Sequence, residues 1–149
     1  DENTGQPVYD DLVEIKELGA NAEGLRTALR ELRPRNGTPL FGAAEQAFDE
    51  IKSGYDPTRI NAVILWTDGI NEDGDPADDD AQFKALTNKL RAGSEGEAAT
   101  PVRMFTIAYG EGASTGQLSA IAEASDAAAY DSSAPDASDR VFTAVVSNF

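Results

Sequence analysis

The stretch Asn61–Asp68, NAVILWTD, decides the fold class. It is an almost unbroken apolar run that leads into Thr67-Asp68-Gly69, which is typical of a strand buried on both faces of a parallel sheet. Val102–Tyr109 (VRMFTIAY) is a second such run, closed by Gly110 and Gly112. A segment of helical length separates the two runs, so the pattern predicts α/β architecture with a mostly parallel sheet.

Weaker patterns complete the order of elements. Ala127–Asp131 is a third candidate strand, and Val8–Leu18 alternates with acidic residues as an exposed edge strand or hairpin does. Five apolar stripes at helical spacing predict helices that pack on a core. The stripes are Leu25, Ala28, Leu29 and Leu32 before Pro34; Leu40, Ala44, Ala47, Phe48 and Ile51 before Gly54; Phe83, Leu86 and Leu90 before Gly93; Leu118, Ile121 and Ala122; and Val141, Phe142, Val145, Val146 and Phe149.

Composition excludes several classes of function. The 149 residues fit one domain and include neither cysteine nor histidine, so disulfides, thiolate or imidazole metal sites and serine-histidine catalysis are excluded. A net charge of −15 argues against a nucleic-acid partner. No apolar run approaches the roughly 18 residues of a membrane span, so we expect no membrane insertion. The chemistry that remains uses carboxylates, hydroxyls and hard cations.

Such a sheet binds ligands at the carboxyl ends of its strands, and two residues are candidates for a site at that edge. Asp68 comes directly after the first apolar run and either shapes the turn by an Asx hydrogen bond or holds a cation or a water. Thr38 precedes Pro39 at the predicted start of a helix and either caps that helix or turns its hydroxyl toward the same cation.

These motifs carry a family resemblance. NGTPLFGAAEQAF at 36–48, followed by YDPTRINAVILWTDG, VRMFTIAYGEGA and the ending VVSNF, resembles the von Willebrand factor A (vWA) domain of bacterial type. The resemblance runs from Val8 to Phe149 and implies a doubly wound, Rossmann-like sandwich. It also implies a metal-ion-dependent adhesion site at the carboxyl edge of the sheet, in which Thr38 and Asp68 match the family's loop threonine and later aspartate.

The sequence departs from the family at one decisive motif. The family's Asp-x-Ser-x-Ser loop, which comes after its first strand, is absent; Asp136-Ala137-Ser138-Asp139-Arg140 fails at its last position and Asp131-Ser132-Ser133 has the wrong spacing. The chain begins at Asp1, so we expect that a leader or an upstream segment has been removed, and that residues 1–149 are the C-terminal portion of one vWA-like domain. We therefore expect Mg²⁺, or Mn²⁺ or Ca²⁺, to bind the complete domain and to bind this chain weakly or not at all. We also expect open sheet edges that pair with the missing segment, with another chain or in an oligomer.

The segment 71–80, NEDGDPADDD, is a candidate calcium loop. Its acids are Glu72, Asp73, Asp75, Asp78, Asp79 and Asp80. Alignment of Gly74 with the glycine of an EF-hand loop places Gly69 and Asp80 at the two end positions, and neither fits. Acids that precede a helix also complement its dipole, so capping and solubility are the favoured interpretation and a surface calcium site is the alternative.

Other motifs give no cofactor. Gly110-x-Gly112-x3-Gly116 is one residue too long for a dinucleotide fingerprint, and there is no phosphate-binding Gly-Lys loop. Trp66 and Tyr130 are expected in the core or on the sheet surface, not as stacking platforms.

The leading hypothesis is a divalent-cation-dependent, adhesion-type protein-binding module that is not an enzyme. As the resemblance implies, the cation would bridge protein oxygens to an acidic group on a protein partner, and the location would be extracellular or in the cell envelope. The alternatives are an α/β metal-dependent hydrolase domain and a structural fragment with no functional site.

Overall fold

The computed structural model describes residues 10–33, 37–95, 100–110 and 112–132, together with Thr143, Ala144 and Ser147. The chain divides into two compact units, Asp1–Gly37 and Thr38–Phe149.

The first unit contains one described helix, α1 (Leu18–Glu31), none of whose residues is buried. The expected edge strand at Val8–Leu18 is wrong over residues 10–17, which form no strand; positions 8 and 9 lie outside the described residues. A strand needs a pairing partner, and the described part of this unit offers none. Instead the Asn21 side-chain amide donates to the Glu14 carbonyl at 2.9 Å, which holds the segment against the helix that comes after it.

The second unit contains a three-stranded parallel sheet in the order β1-β2-β3. Its described elements are α2 (Leu40–Ser53), β1 (Ala62–Thr67), α3 (Asp79–Ser94), β2 (Arg103–Ala108), α4 (Thr115–Glu123) and β3 (Ala129–Asp131). The predictions of three strands and of these helices are confirmed, and the mixed α/β class with a parallel sheet is confirmed with them. The apolar residues of the fifth stripe, at 141–149, lie outside the described residues.

One face of the sheet carries the main core. Side chains from β1 and β2, among them Val63 and Met104, pack against α2, α3 and α4 in one buried cluster. Two helices of this layer approach very closely, since a Cβ placed on Gly93 of α3 would lie 2.6 Å from the Phe48 ring of α2. Glycine at that position lets the two helices meet without displacing the ring.

The opposite face is covered unevenly. Phe105 and Ile107 of β2 are buried, whereas their register partners on β1, Ile64 and Trp66, are 38% and 50% exposed. The prediction that the first strand is buried on both faces is therefore wrong. Its apolar composition is that of a central strand, but within the described residues it lies at the edge of the sheet.

The last feature of the described helices is their length and polarity. None that the structure describes combines the length and the apolar character needed to cross a bilayer.

Candidate functional site

The carboxyl ends of β1 and β2 meet where the sequence predicted a site. The Tyr109 amide donates to the Thr67 carbonyl at 2.8 Å, which extends the pairing of the two strands to their ends. Thr38 joins this edge by an antiparallel bridge with Glu72, with two backbone hydrogen bonds of 2.8 Å. The chain before α2 is thereby tied to the loop that leaves β1.

The bridge decides what the Thr38 side chain does. Helix α2 begins at Leu40, so Pro39 occupies the N-cap position. Pro39 makes no side-chain hydrogen bond that caps the helix. The capping interpretation of Thr38 is wrong, because its backbone is held in an extended bridge one residue too early. Its hydroxyl oxygen instead lies 3.6 Å from the position that a Cβ on Gly69 would occupy. The hydroxyl therefore faces the turn immediately after Asp68.

Asn71 caps α2 from a distance. Its side-chain oxygen accepts a hydrogen bond from the Phe41 amide at 3.2 Å, in the first turn of the helix. Its side-chain nitrogen donates to an Asp79 carboxylate oxygen at 2.6 Å, at the start of α3. Asn71 is 6% exposed, so one buried amide joins two helix starts. Sequence reasoning missed this residue because its partners are 30 and 8 positions away.

Asp68 is not used by the turn in which it stands. The hydroxyl of Thr67 accepts the Gly69 amide at 3.2 Å, so the preceding threonine shapes the turn and the predicted Asx bond of Asp68 is wrong. The Asp68 side chain is exposed and forms no hydrogen bond or ion pair with any residue that the structure describes. Its carboxylate is therefore available to a ligand.

Gly112 fixes the distance between the two loops at this edge. A Cβ at this position would lie 2.6 Å from the Asp68 carbonyl oxygen, a contact that no side chain tolerates. The glycine pattern after β2 thus serves close packing against the loop after β1. This gives Gly112 a structural purpose that requires no dinucleotide.

The acidic loop is organised by its own amides. Carboxylate oxygens of Asp73, Asp78 and Asp79 lie within 4.8 Å of one another. The Gln82 side-chain amide donates to Asp73 at 2.7 Å and to Asp78 at 2.8 Å, so a neutral donor already bridges two of the three acids. This hydrogen bond from Gln82, with a second from the Asp75 amide, lowers the pKa of Asp73 below its ordinary value against a small opposing effect of burial.

Local backbone bonds account for further acids of this loop. Asp73 accepts the amide of Asp75 at 3.2 Å, and Asp75 accepts the amide of Ala77 at 3.0 Å. Asp79 and Asp80 lie in the first turn of α3, where they complement the helix dipole. These contacts favour the predicted structural interpretation. The cluster could in principle hold a cation, but exposed acids of this kind are common without one.

Thr38 and Asp68 are thus brought to one edge, with the hydroxyl of the first beside the residue after the second. A hydroxyl and a carboxylate are oxygen donors of the kind that Mg²⁺ takes. They supply two of about six ligand positions, so the donors fit in kind and fall short in number.

Comparison with known proteins adds no relative. No protein-family model, no curated protein and no solved structure matches the chain.

Proposed function

We propose that this chain is the C-terminal portion of a vWA-type, divalent-cation-dependent protein-binding module with a doubly wound fold. Thr38 and Asp68 are the residues it contributes to the cation site. One observation carries the proposal: both side chains are released from the local roles that their sequence context offers. Thr38 does not cap α2, Asp68 does not close its turn, and the Thr38 hydroxyl lies beside Gly69.

The chemistry of recognition depends on these two donors. Thr38 would offer a neutral oxygen and Asp68 a carboxylate that holds the cation directly or through its water. A hard cation with positions left over accepts an acidic group from a partner protein, which gives binding without a reaction. With only two oxygens from this chain, we expect weak affinity for Mg²⁺. We expect the complete module to lie outside the cell or in its envelope.

A titration with Mn²⁺ or Mg²⁺ tests the proposal. The single tryptophan, Trp66, lies two residues before Asp68 and reports binding by fluorescence. We expect a saturable change in the millimolar range that is lost in Asp68→Ala and weakened in Thr38→Val, which removes the hydroxyl and keeps the shape.

Asp73→Asn is the matched control, because it removes one acid from the loop cluster and leaves the sheet edge intact. A response lost in Asp73→Asn and kept in Asp68→Ala would assign the cation to the acidic loop and contradict the proposal. Turnover of a generic phosphate ester that disappears in Asp68→Ala would favour the hydrolase. No change in fluorescence or thermal stability with either metal would favour a structural fragment.

A further inference from the structure

The chain contains the dipeptide Asp-Gly twice, at Asp68-Gly69 and at Asp73-Gly74. In this dipeptide the glycine nitrogen can attack the side-chain carbon of the aspartate, because glycine has no Cβ to shield its nitrogen. Both dipeptides follow β1, both lie in bends, and both aspartates are exposed. The two sites are therefore matched in sequence and setting, and they differ in what holds the carboxylate.

The carboxylate of Asp73 is held at both oxygens. One accepts the Asp75 amide at 3.2 Å, and the other accepts the Gln82 side-chain amide at 2.7 Å. Rotating the side chain so that its Cγ meets the Gly74 nitrogen breaks these hydrogen bonds, which costs free energy. The bond from Gln82 and that from the Asp75 amide also lower the pKa of Asp73, which leaves less of the neutral carboxyl that can release water. Both effects slow attack at Asp73.

The carboxylate of Asp68 has no such restraint. Its side chain forms no hydrogen bond or ion pair with any residue that the structure describes. The Gly69 amide donates to the Thr67 hydroxyl at 3.2 Å. That bond lies along the N–H direction and does not occupy the face of the peptide plane from which Cγ approaches. The Asp68 side chain is therefore free to turn onto the Gly69 nitrogen.

The backbone does not require glycine at position 69. Gly74 has a φ of +107°, which side chains rarely adopt, whereas the φ of Gly69 lies outside that region. A Cβ on Gly69 would first meet the Thr38 hydroxyl at 3.6 Å, which is an ordinary contact. Alanine therefore fits at position 69, and its methyl group can shield the nitrogen without straining the turn.

We propose that Asp68-Gly69 is a site of spontaneous isomerisation, at which Asp68 becomes isoaspartate. The Gly69 nitrogen bonds to Cγ of Asp68, and the amide proton leaves with the carboxyl hydroxyl as one water, which closes a succinimide ring. Water then adds to the former main-chain carbonyl and breaks its bond to the nitrogen. That carbonyl becomes a free carboxylate, and the main chain runs through Cβ and Cγ. One water is lost and one is gained, so the mass is unchanged and no other reagent is needed.

The conversion removes a close contact at this edge of the sheet. The Asp68 carbonyl oxygen lies 2.6 Å from the position that a Cβ on Gly112 would occupy. In isoaspartate this carbonyl leaves the main chain, which becomes one atom longer, so the two loops lose their close packing. We expect the converted protein to melt about 2–4 °C below the parent. This loss does not depend on whether Asp68 binds a cation.

Peptide mapping of the aged full chain tests the proposal. Trypsin releases both dipeptides in one peptide, residues 60–84, because no lysine or arginine lies between Arg59 and Lys84. The folded protein is incubated for several weeks with a chelator, which keeps cations off Asp68 and makes the result independent of the proposed function. Electron-transfer fragmentation then distinguishes isoaspartate at position 68 from isoaspartate at position 73.

We expect about threefold more isoaspartate at position 68 than at position 73, since only Asp73 must break hydrogen bonds to react. The same incubation in urea is the control, and there the two yields should become nearly equal because the contacts of Asp73 are lost. Equal yields in the folded protein, or the same excess in urea as in the folded protein, would overturn the proposal.

Two variants test the two causes separately. Gly69→Ala should lower the yield at position 68 several-fold, leave the yield at position 73 unchanged and keep the circular dichroism of the parent. Gln82→Ala frees one oxygen of Asp73, so it should raise the yield at position 73 and leave that at position 68 unchanged. A Gly69→Ala variant that isomerises at position 68 as fast as the parent, or a Gln82→Ala variant with the parent's yield at position 73, would contradict the proposal.

Discussion

β1 and β2 are equal in length, run in the same direction and are alike in apolar character, yet their surroundings differ. Every residue of β2 after Arg103 is buried. In β1 only Val63 and Thr67 are buried, and Ile64 and Trp66 are exposed. β2 has a strand on each side, and β1 has one among the described residues. The burial of a strand is therefore set by its neighbours as much as by its own composition.

The two strands also differ in the segments at their carboxyl ends. The segment after β1 holds the turn shaped by Thr67, the capping amide of Asn71 and an acidic loop tied together by Gln82. The segment after β2 includes Gly112, whose missing side chain lets it approach the Asp68 carbonyl. One end therefore supplies polar groups and the other supplies close packing, and the candidate site needs both.

Alanine substitution on the sheet face that both strands share should give the largest difference between β1 and β2 in lost unfolding free energy. Ile107→Ala removes a side chain that is 1% exposed, and the cavity should cost about 2–5 kcal/mol of unfolding free energy. Ile64→Ala, on the same face of β1, should cost about 1 kcal/mol because this side chain is 38% exposed. Urea unfolding gives both values.

The parent and both variants should keep the same slope with urea. Equal losses from Ile107→Ala and Ile64→Ala would mean that the outer half of the sheet is covered in the monomer, and the contrast between the two strands would disappear.

Much of the fold was predictable because its signals are local. The apolar runs of β1 and β2 and the 3.6-residue stripes of α2, α3 and α4 each carry their own periodicity. The exposure of Ile64 and Trp66 was not predictable, because the same apolar run serves a central strand or an open edge. The prediction of a strand in the acidic stretch before α1 was wrong for a related reason, since alternation alone supplies no partner strand.

The candidate site was likewise predictable in its location and not in its contacts. Position at the end of the first strand predicted where Asp68 lies, because chain direction fixes which loops meet. Thr38 was expected to face this edge only as the alternative to capping the helix that it precedes. The local roles predicted for Thr38 and Asp68 were wrong, because in each case another residue makes the hydrogen bond. Asn71 caps α2 from 30 residues away, and Thr67 closes the turn that Asp68 was expected to close. Competition among polar side chains for the same backbone amide is a tertiary property.

The contact between the two strand ends gives the next largest effect. Gly112→Ala places a methyl group 2.6 Å from the Asp68 carbonyl oxygen, so the loops must separate. We expect the free energy of unfolding to fall by about 1–3 kcal/mol, as in other overpacked sites. The fluorescence change on adding metal should also be smaller than in the parent. Thermal unfolding and the fluorescence titration measure the two effects.

Gly116→Ala is the control for that substitution, since among the described residues no atom beyond its chain neighbours and the nearby backbone of its own helix lies within 4 Å of its Cβ position. Gly116 is in the first turn of α4, where alanine is the better helix former, and a gain of up to about 1 kcal/mol is expected. A Gly112→Ala variant as stable as the parent would show that this contact does not hold the strand ends together.

The smallest effect concerns the polar loop after β1, which has no counterpart in the described residues after β2. The pKa of Asp73 is lowered first by its hydrogen bond from Gln82. A lowered folded-state pKa gives stability that is present above the ordinary value of 3.8 and is lost as pH falls through the folded value. Asp73→Asn should therefore flatten the fall in melting temperature as the pH drops through 3.8 and below it. Because the group is exposed, the difference should be about 1 °C.

Gln82→Ala provides the second half of a double-mutant cycle, since it removes the donor and leaves the acid. Gln82→Ala should flatten the fall in melting temperature at acid pH almost as much as Asp73→Asn does. The double variant should flatten it little further, because both single changes break the same hydrogen bond. If the two effects add fully, Asp73 is held by groups other than Gln82. The loop would then be ordered by the backbone bonds of its own acids, and the difference between the two strand ends would lie in local turns and not in a contact with α3.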